Sequence, residues 1–396
     1  MARNRIIYQS ESLFAGPAPA TGFHLITGTS TLAKGFPTTA GVACSSRVNQ
    51  IQRVQTANYS FNIARQDVNQ FGELAAIDRV ILESPTVSLD FSYILGSLVN
   101  ESNLGFSITK SGNTNVISAM SGILNKTTDE RNYFIKTVAE GADALGDNPK
   151  DAGVSAASSV IGIGNAFVTS YSTEGAVGDF PTASVSVEAL NMDFVPGVSG
   201  NHIPAVTPED GQKITDNFYA LPSGESNVGA SGVSALRPGD IGLSFYPNGS
   251  DSTLAGFTGV SITDAKIQSY TLSFDLARDP LQKLGSKFAF AREITFPVTV
   301  SLSVDANLGD LTTGSLADAI DEDSNYDVNI VLNNPGHGTA NPNSAMARYV
   351  LKKCKIDSQE YSSDIGSNKS VSLGFSAQIG GPAQTNVGLF MSGVIS

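Results

Sequence analysis

The residues of this chain whose types could do chemistry are three histidines, two cysteines and a few short acidic or glycine-rich runs. His24, His202 and His337 lie far apart in Gly- and Pro-rich surroundings. No Gly-x-Ser-x-Gly elbow accompanies them, so no hydrolase triad is expected. Gly162-Ile-Gly164 follows an apolar run, but position 167 is Phe where a dinucleotide fingerprint needs its third Gly. Asp321, Asp323 and Asn325 have the alternate spacing of a calcium loop. Tyr326 then stands where that loop needs Gly and Leu332 where it needs Glu, which reads as a solvated turn ahead of a strand. Gly336-His-Gly338 reads as a flexible loop. Cys44 and Cys354 are 354 − 44 = 310 residues apart and form neither a disulfide framework nor a metal knuckle. The expectation is no enzyme, no metal and no cofactor.

Composition narrows the remaining classes. The 24 Lys+Arg against 37 Asp+Glu give 24 − 37 = −13, which argues against nucleic-acid binding through a broad basic surface. The 396 residues suggest two or three domains at about 150 residues each, and 41% hydrophobic content suffices for real cores. Only 15% of residues are charged, below the roughly 25% usual in soluble domains, while 39 Gly and 17 Pro accompany abundant Ser, Thr and Asn. That profile is β-rich and turn-rich. No apolar stretch approaches the roughly 20 residues of a membrane span. The start, Met1-Ala-Arg-Asn-Arg5 followed by Ile-Ile-Tyr, lacks a signal core, so the chain is expected to stay in the cytoplasm that makes it. Self-association remains open.

The elements that would position any surface are written twice. Ile51-Gln52 opens a segment running through Tyr59-Ser-Phe-Asn-Ile-Ala-Arg65 to Gly72 and then to the strand-like Pro85 to Tyr93. Ile267-Gln268 opens another, with Leu272-Ser-Phe-Asp-Leu-Ala-Arg278, then Gly285, then Pro297 to Val304. Asn132-Tyr133 leads an apolar run as Asn325-Tyr326 does. Gly178 precedes Ala183 to Ala189 as Gly366 precedes Val371 to Ala377. This is read as a duplicated domain, with residues 51–194 as the first copy and 262–396 as the second. Residues 1–50 are an N-terminal arm or strand segment, and the Pro- and Gly-rich 195–261 a linker or insertion.

Within each copy the hydrophobic period is two. Tyr59, Phe61 and Ile63 alternate with Ser60 and Asn62, and Val87, Leu89, Phe91 and Tyr93 with Ser88, Asp90 and Ser92. Leu272 and Phe274 alternate with Ser273 and Asp275, and Val300, Leu302 and Val304 with Ser301, Ser303 and Asp305. One short helix per copy is expected, near Thr114 to Leu124 and at Gly314 to Ile320. The fold class is therefore mainly β, with two tandem β-sandwich or barrel domains, each with one short flanking helix.

Arg278-Asp-Pro-Leu-Gln-Lys-Leu-Gly285-Ser-Lys-Phe288, followed by Arg292-Glu-Ile-Thr-Phe-Pro297 and an alternating strand, resembles the tail tube proteins of tailed bacteriophages, those with a duplicated tube domain above all. Asn4 to Ser10 and Ser234 to Asp240 look like segments of the same group. The resemblance covers residues 51–194 and 262–392. It implies tube domains six to a ring, hence a trimeric, pseudo-hexameric ring of two-domain chains, stacked into the conduit for DNA ejection in the virion tail. The implied partners are other copies and other tail proteins, with DNA passing through unbound and no membrane involved. On this reading Ser60, Asn62, Ser88, Asp90, Ser273, Asp275, Ser301, Ser303 and Asp305 line the lumen, the alternative being plain solvent faces of a sandwich. The long excursions Gln66 to Ser84 and Asp279 to Phe296, with Leu281, Leu284, Phe288 and Phe290, contact a neighbouring subunit or the next ring. Competing readings are another ring-forming tail component, such as a distal tail or terminator protein, and a β-rich receptor or carbohydrate-binding module, which zero Trp disfavours.

Overall fold

In the computed structural model, the residues described are 11–17, 49–82, 84–110, 117–124, 129–138, 144, 158–196, 204–213, 235–247, 266–308, 325–334, 345–363, 368–381 and 383–395. The three histidines, Cys44, most of the acidic run and Gly314 to Ile320 lie outside them.

The chain is mainly β. The first part contributes β1 (Glu11–Pro17), β2 (Asn49–Gln50), β3 (Val54–Asn62), β4 (Arg65–Val68), β5 (Asp78–Ile81), β6 (Thr86–Ile94), helix α1 (Val99–Leu104), β7 (Ile108–Lys110), helix α2 (Ser121–Leu124), β8 (Arg131–Val138), β9 (Ser158–Ala176), β10 (Thr182–Ala189) and β11 (Asn191–Pro196). The second contributes β12 (Ile241–Pro247), β13 (Lys266–Asp275), β14 (Arg278–Leu281), β15 (Ala291–Ile294), β16 (Thr299–Asn307), β17 (Tyr326–Asn333), β18 (Ala345–Ser362), β19 (Ser370–Gln378) and β20 (Gly388–Gly393). Among the described residues no helix is long and apolar enough to cross a membrane.

Alternation sorts side chains onto the two faces of one long antiparallel sheet, in the order β18-β19-β16-β13-β9-β10-β6-β3. Its apolar face holds Leu89 and Phe91 from β6, Leu272 and Phe274 from β13, and Leu302 and Val304 from β16, all buried. Each such side chain contributes roughly 1.5–3 kcal/mol relative to an exposed one. Two smaller sheets supply the other half of the core: β2-β1-β8-β9-β11 and β12-β17-β18-β20. The long strands β9 and β18 belong to both layers, passing from an outer sheet into the shared one, as corner strands of a sandwich do.

Hydrogen-bond registers in the two halves of the chain correspond at constant offsets. A constant offset of 213 residues carries the pair Ser60–Ser88 onto Ser273–Ser301, and an offset of 188 carries Ser184–Ser172 onto Ser372–Glu360. Even irregularities repeat. Asn165 and Lys353, 188 apart, are both left-handed (φ 53° and 56°) where β9 and β18 turn between layers. Their backbone N–H groups donate to Asn132 Oδ1 (3.2 Å) and Asp327 Oδ1 (3.0 Å) respectively. These side chains hold a backbone conformation that is unfavourable away from Gly. Gln55 and Gln268 sit at equivalent bulges, and each donates its amide to the carbonyl two residues back, of Arg53 and Lys266. Gly72 and Gly285 occupy the two hairpin tips at φ 97° and 86°, which only Gly adopts cheaply.

Two expected landmarks are therefore corrected. Gln268 matches Gln55 and not Gln52, and Asn132 matches Asp327 and not Asn325. The segments read as arm and linker also hold structural counterparts. β1 pairs with β8 as β12 pairs with β17, Pro17 opposite Arg131 and Pro247 opposite Tyr326. The helix expectation also changes. Among the described residues the Thr114 to Leu124 run yields only the four-residue α2, and α1, stopped by Gly105 in a left-handed cap (φ 104°), was not expected. Six residues are too few for a helical period to show.

Candidate assembly surface

Every residue expected to line a lumen lies on the polar face of the shared sheet. One row crosses seven strands as Thr56–Ser92–Ser184–Ser172–Ser273–Ser301–Ser376, each directly opposite the next. Thr56 and Ser92 hydroxyls are 2.7 Å apart, Ser60 and Ser88 2.8 Å, and Ser269 Oγ donates to Asp305 Oδ2 at 2.8 Å. Ser60, Asn62, Ser88 and Asp90 meet Ser186 and Glu188 around one shallow groove. Sequence reasoning confined to four strands missed Glu174, Glu188 and Glu360, which the register adds to this face. It also missed two basic side chains at its margins: Lys266 opens β13, and Lys355 lies opposite Ser376 in β18. The face is thus hydroxyl-rich and net acidic, able to hold water but ill suited to hold phosphate.

The two excursions are antiparallel hairpins, β4–β5 and β14–β15, and they behave differently. The second folds back on the first repeat. Arg278, nearly buried, donates to both oxygens of Asp129 (2.8 and 2.7 Å) and lies 4.8 Å above the Phe167 ring. Arg292 pairs with Glu188 and Lys283 with Glu209, while the Lys287 and Phe288 backbone N–H groups donate to the Glu209 and Pro208 carbonyls. The Phe288 ring lies against Gly211 of its own chain. Leu281, Leu284 and Phe290 stay exposed. The first hairpin has Arg79 paired with Asp67 at 2.5 Å within itself, and it exposes Val68, Phe71, Leu74, Ile77 and Ile81.

Where the repeats meet, a buried carboxyl heads a hydrogen-bond chain that reaches three strands. Glu101 of α1 is fully buried, and its Oε1 accepts from Tyr93 Oη of β6 (2.8 Å) and Tyr171 Oη of β9 (3.0 Å). Tyr171 Oη is 3.0 Å from Tyr349 Oη of β18 in the second repeat. Burial pushes the Glu101 carboxyl up to about 7, against the pull of the tyrosine hydroxyls and Arg53. Burial also lifts the three phenols well above their ordinary range. A carboxyl raised in the native state binds more protons there than in the unfolded chain. Its stabilisation is complete below pH 4.5 and disappears as pH rises through about 7. Wild type should lose on the order of 3 kcal/mol relative to Glu101→Gln between pH 5 and 8. Urea midpoints across that range measure it, and parallel curves for the two proteins would refute it. Burial likewise raises the Cys354 thiol to about 12, leaving it inert at neutral pH.

No protein-family model and no curated protein matches this chain. One solved structure to which it is similar is a chain of the anti-feeding prophage baseplate, determined by cryo-EM with six-fold symmetrisation. The likeness spans 39% of this chain and 92% of that one, with 14% identity and a TM-score of 0.24. A likeness of that size sets no function.

Proposed function

We propose that this chain is a structural, non-catalytic protein of a phage-like virion tail. It assembles into rings of three chains with approximate six-fold symmetry, and the rings stack into a tube through which DNA is ejected. The observation that carries this reading is the shared sheet. Two repeats, each with four strands, continue one another edge to edge through β9 and β13, with the buried apolar side chains on one side and a hydroxyl-rich, acidic face on the other. A wall that must stay wet and let phosphate slide needs such a face, because each basic contact would retain DNA. The duplication gives one chain two positions of a six-fold ring, so three chains close it. The resemblance of Arg278 to Pro297 to tail tube proteins points the same way.

Electron microscopy of the purified protein, with mass per ring, tests this. Rings or tubes with six similar lobes and the mass of three chains are expected. Single capped rings that do not stack would favour a tail terminator or distal tail part. A six-chain ring, or monomers at every concentration and salt, would overturn the reading.

A further inference from the structure

The contact between the two repeats inside one chain is a template for a contact between chains. In it, β13 lies on β9 with Ser273 opposite Ser172 and Leu272 opposite Thr173. β20 is covered by β7 of the first repeat, Met391 opposite Ile108. On this side of the second repeat Phe274 is 2% exposed and Met391 0%. The offsets that superpose the repeats place Phe61 of β3 where Phe274 stands. Because Asn191 pairs with Gly164 as Gly388 pairs with Lys352, they also place Phe194 of β11 where Met391 stands. Phe61 and Phe194 are each 60% exposed. Large apolar side chains at matching positions are buried where a repeat lies on them and bare where none does. The opposite end of the sheet shows the converse, since Tyr361 of β18 is 45% exposed where its counterpart Thr173 is 1% exposed.

We propose that this side of the first repeat is covered by the second repeat of another copy of the chain. β3 then pairs antiparallel with the end of β18, Ser60 opposite Glu360 and Tyr59 opposite Tyr361. The inference rests on the ring-forming reading and gives it a register. The contact is head-to-tail, with different surfaces on the two copies, and so closes a ring and not a two-fold dimer. It also extends the polar face without interruption and covers the two strand edges that end the sheet among the described residues.

Its chemistry departs from the contact within the chain. There Arg278 lies over Phe167 and Arg292 pairs with Glu188. The matching arginines are Arg65 and Arg79, but the positions matching Phe167 and Glu188 hold Lys355 and Ser376. The carboxylate and the aromatic platform are not repeated. The contact between chains is carried by strand pairing and apolar side chains, which salt strengthens or leaves unchanged.

Paired cysteines test the register in an otherwise Cys44→Ser chain. Pairs along an antiparallel ladder alternate between wide and narrow, so Ser60→Cys with Glu360→Cys and Tyr59→Cys with Tyr361→Cys sample both kinds. Oxidised assemblies should give a disulfide ladder ending at three chains for at least one of these pairs. The slipped pair Ser60→Cys with Ser358→Cys should give none. Particle mass at low and high salt should show assembly undiminished by salt. If assemblies form and only the slipped pair crosslinks, or neither in-register pair does, or high salt disperses them, this contact is wrong while the ring stands. If the parent chain never assembles, the ring reading fails and takes the contact with it.

Discussion

In the proposed tube, changing Asp90, Asp275 and Asp305 all to Lys should leave tails of normal length yet slow DNA ejection, with the delay shrinking as salt rises. All three side chains are exposed on the polar face, and Asp305 accepts one bond, from Ser269. Replacing them removes nothing from the core, so folding and ring formation should persist. In a three-chain ring the change converts 3 × 3 = 9 acidic positions into cationic ones, repeated at every level of the tube. At physiological salt, screening acts over about 8 Å, so a Lys touching passing phosphate is felt and a distant one is not. DNA held by six to ten such contacts loses roughly 10³–10⁵ in affinity between 50 and 200 mM salt. Ejection kinetics at those two salts should therefore diverge for the triple variant and nearly coincide for wild type. Equal rates for both proteins at low salt would mean that this face of the sheet does not line the channel.

What could be read from the sequence is what depends on a period of two. β3, β6, β13 and β16 stand where alternation puts them, and the polar residues chosen from them share one face. Their register could not be read, because shifting a strand by two residues leaves every side chain on its own face. The shared Asn-Tyr dipeptide pairs Asn132 with Asn325, while the hydrogen bonds match it with Asp327. The turn between layers was hidden for a related reason. The left-handed position is Asn165 in one copy and Lys353 in the other, and a Lys carries no signal for positive φ.

The joining of the repeats left no local trace either. Glu101, Tyr93, Tyr171 and Tyr349 converge from one helix and three strands, and their sequence separations follow no motif. The hairpins show the opposite limit. Arg65, Gly72 and Arg79 match Arg278, Gly285 and Arg292 one for one, so sequence implied a common role for both excursions. Their surroundings decide otherwise, since carboxylates for the second hairpin lie in the first repeat and backbone partners at Pro208 and Glu209 of the same chain. The first hairpin keeps Phe71 and Leu74 exposed.

The double variant Phe61→Ser with Phe194→Ser should fold as well as wild type and fail to build rings. Both side chains are 60% exposed in the single chain, so removing them costs its core little, and a slight gain in solubility is expected. Covered by another copy, as Phe274 and Met391 are covered within the chain, each would gain roughly 1–2 kcal/mol for the 60% still exposed. The pair is then worth about 2–4 kcal/mol per contact, a factor of roughly 30–10³ in the association constant. Closing a three-chain ring needs three such contacts, so a protein that assembles at micromolar concentration should remain monomeric well above it. Thermal melting of the monomer and sedimentation of the assembled form separate the two effects. The matched variant Leu281→Ser with Leu284→Ser removes apolar surface from the tip of the second hairpin and should leave lateral closure of single rings intact. Rings that form normally from the Phe61 and Phe194 variant would show that this side of the first repeat faces solvent and that copies meet elsewhere.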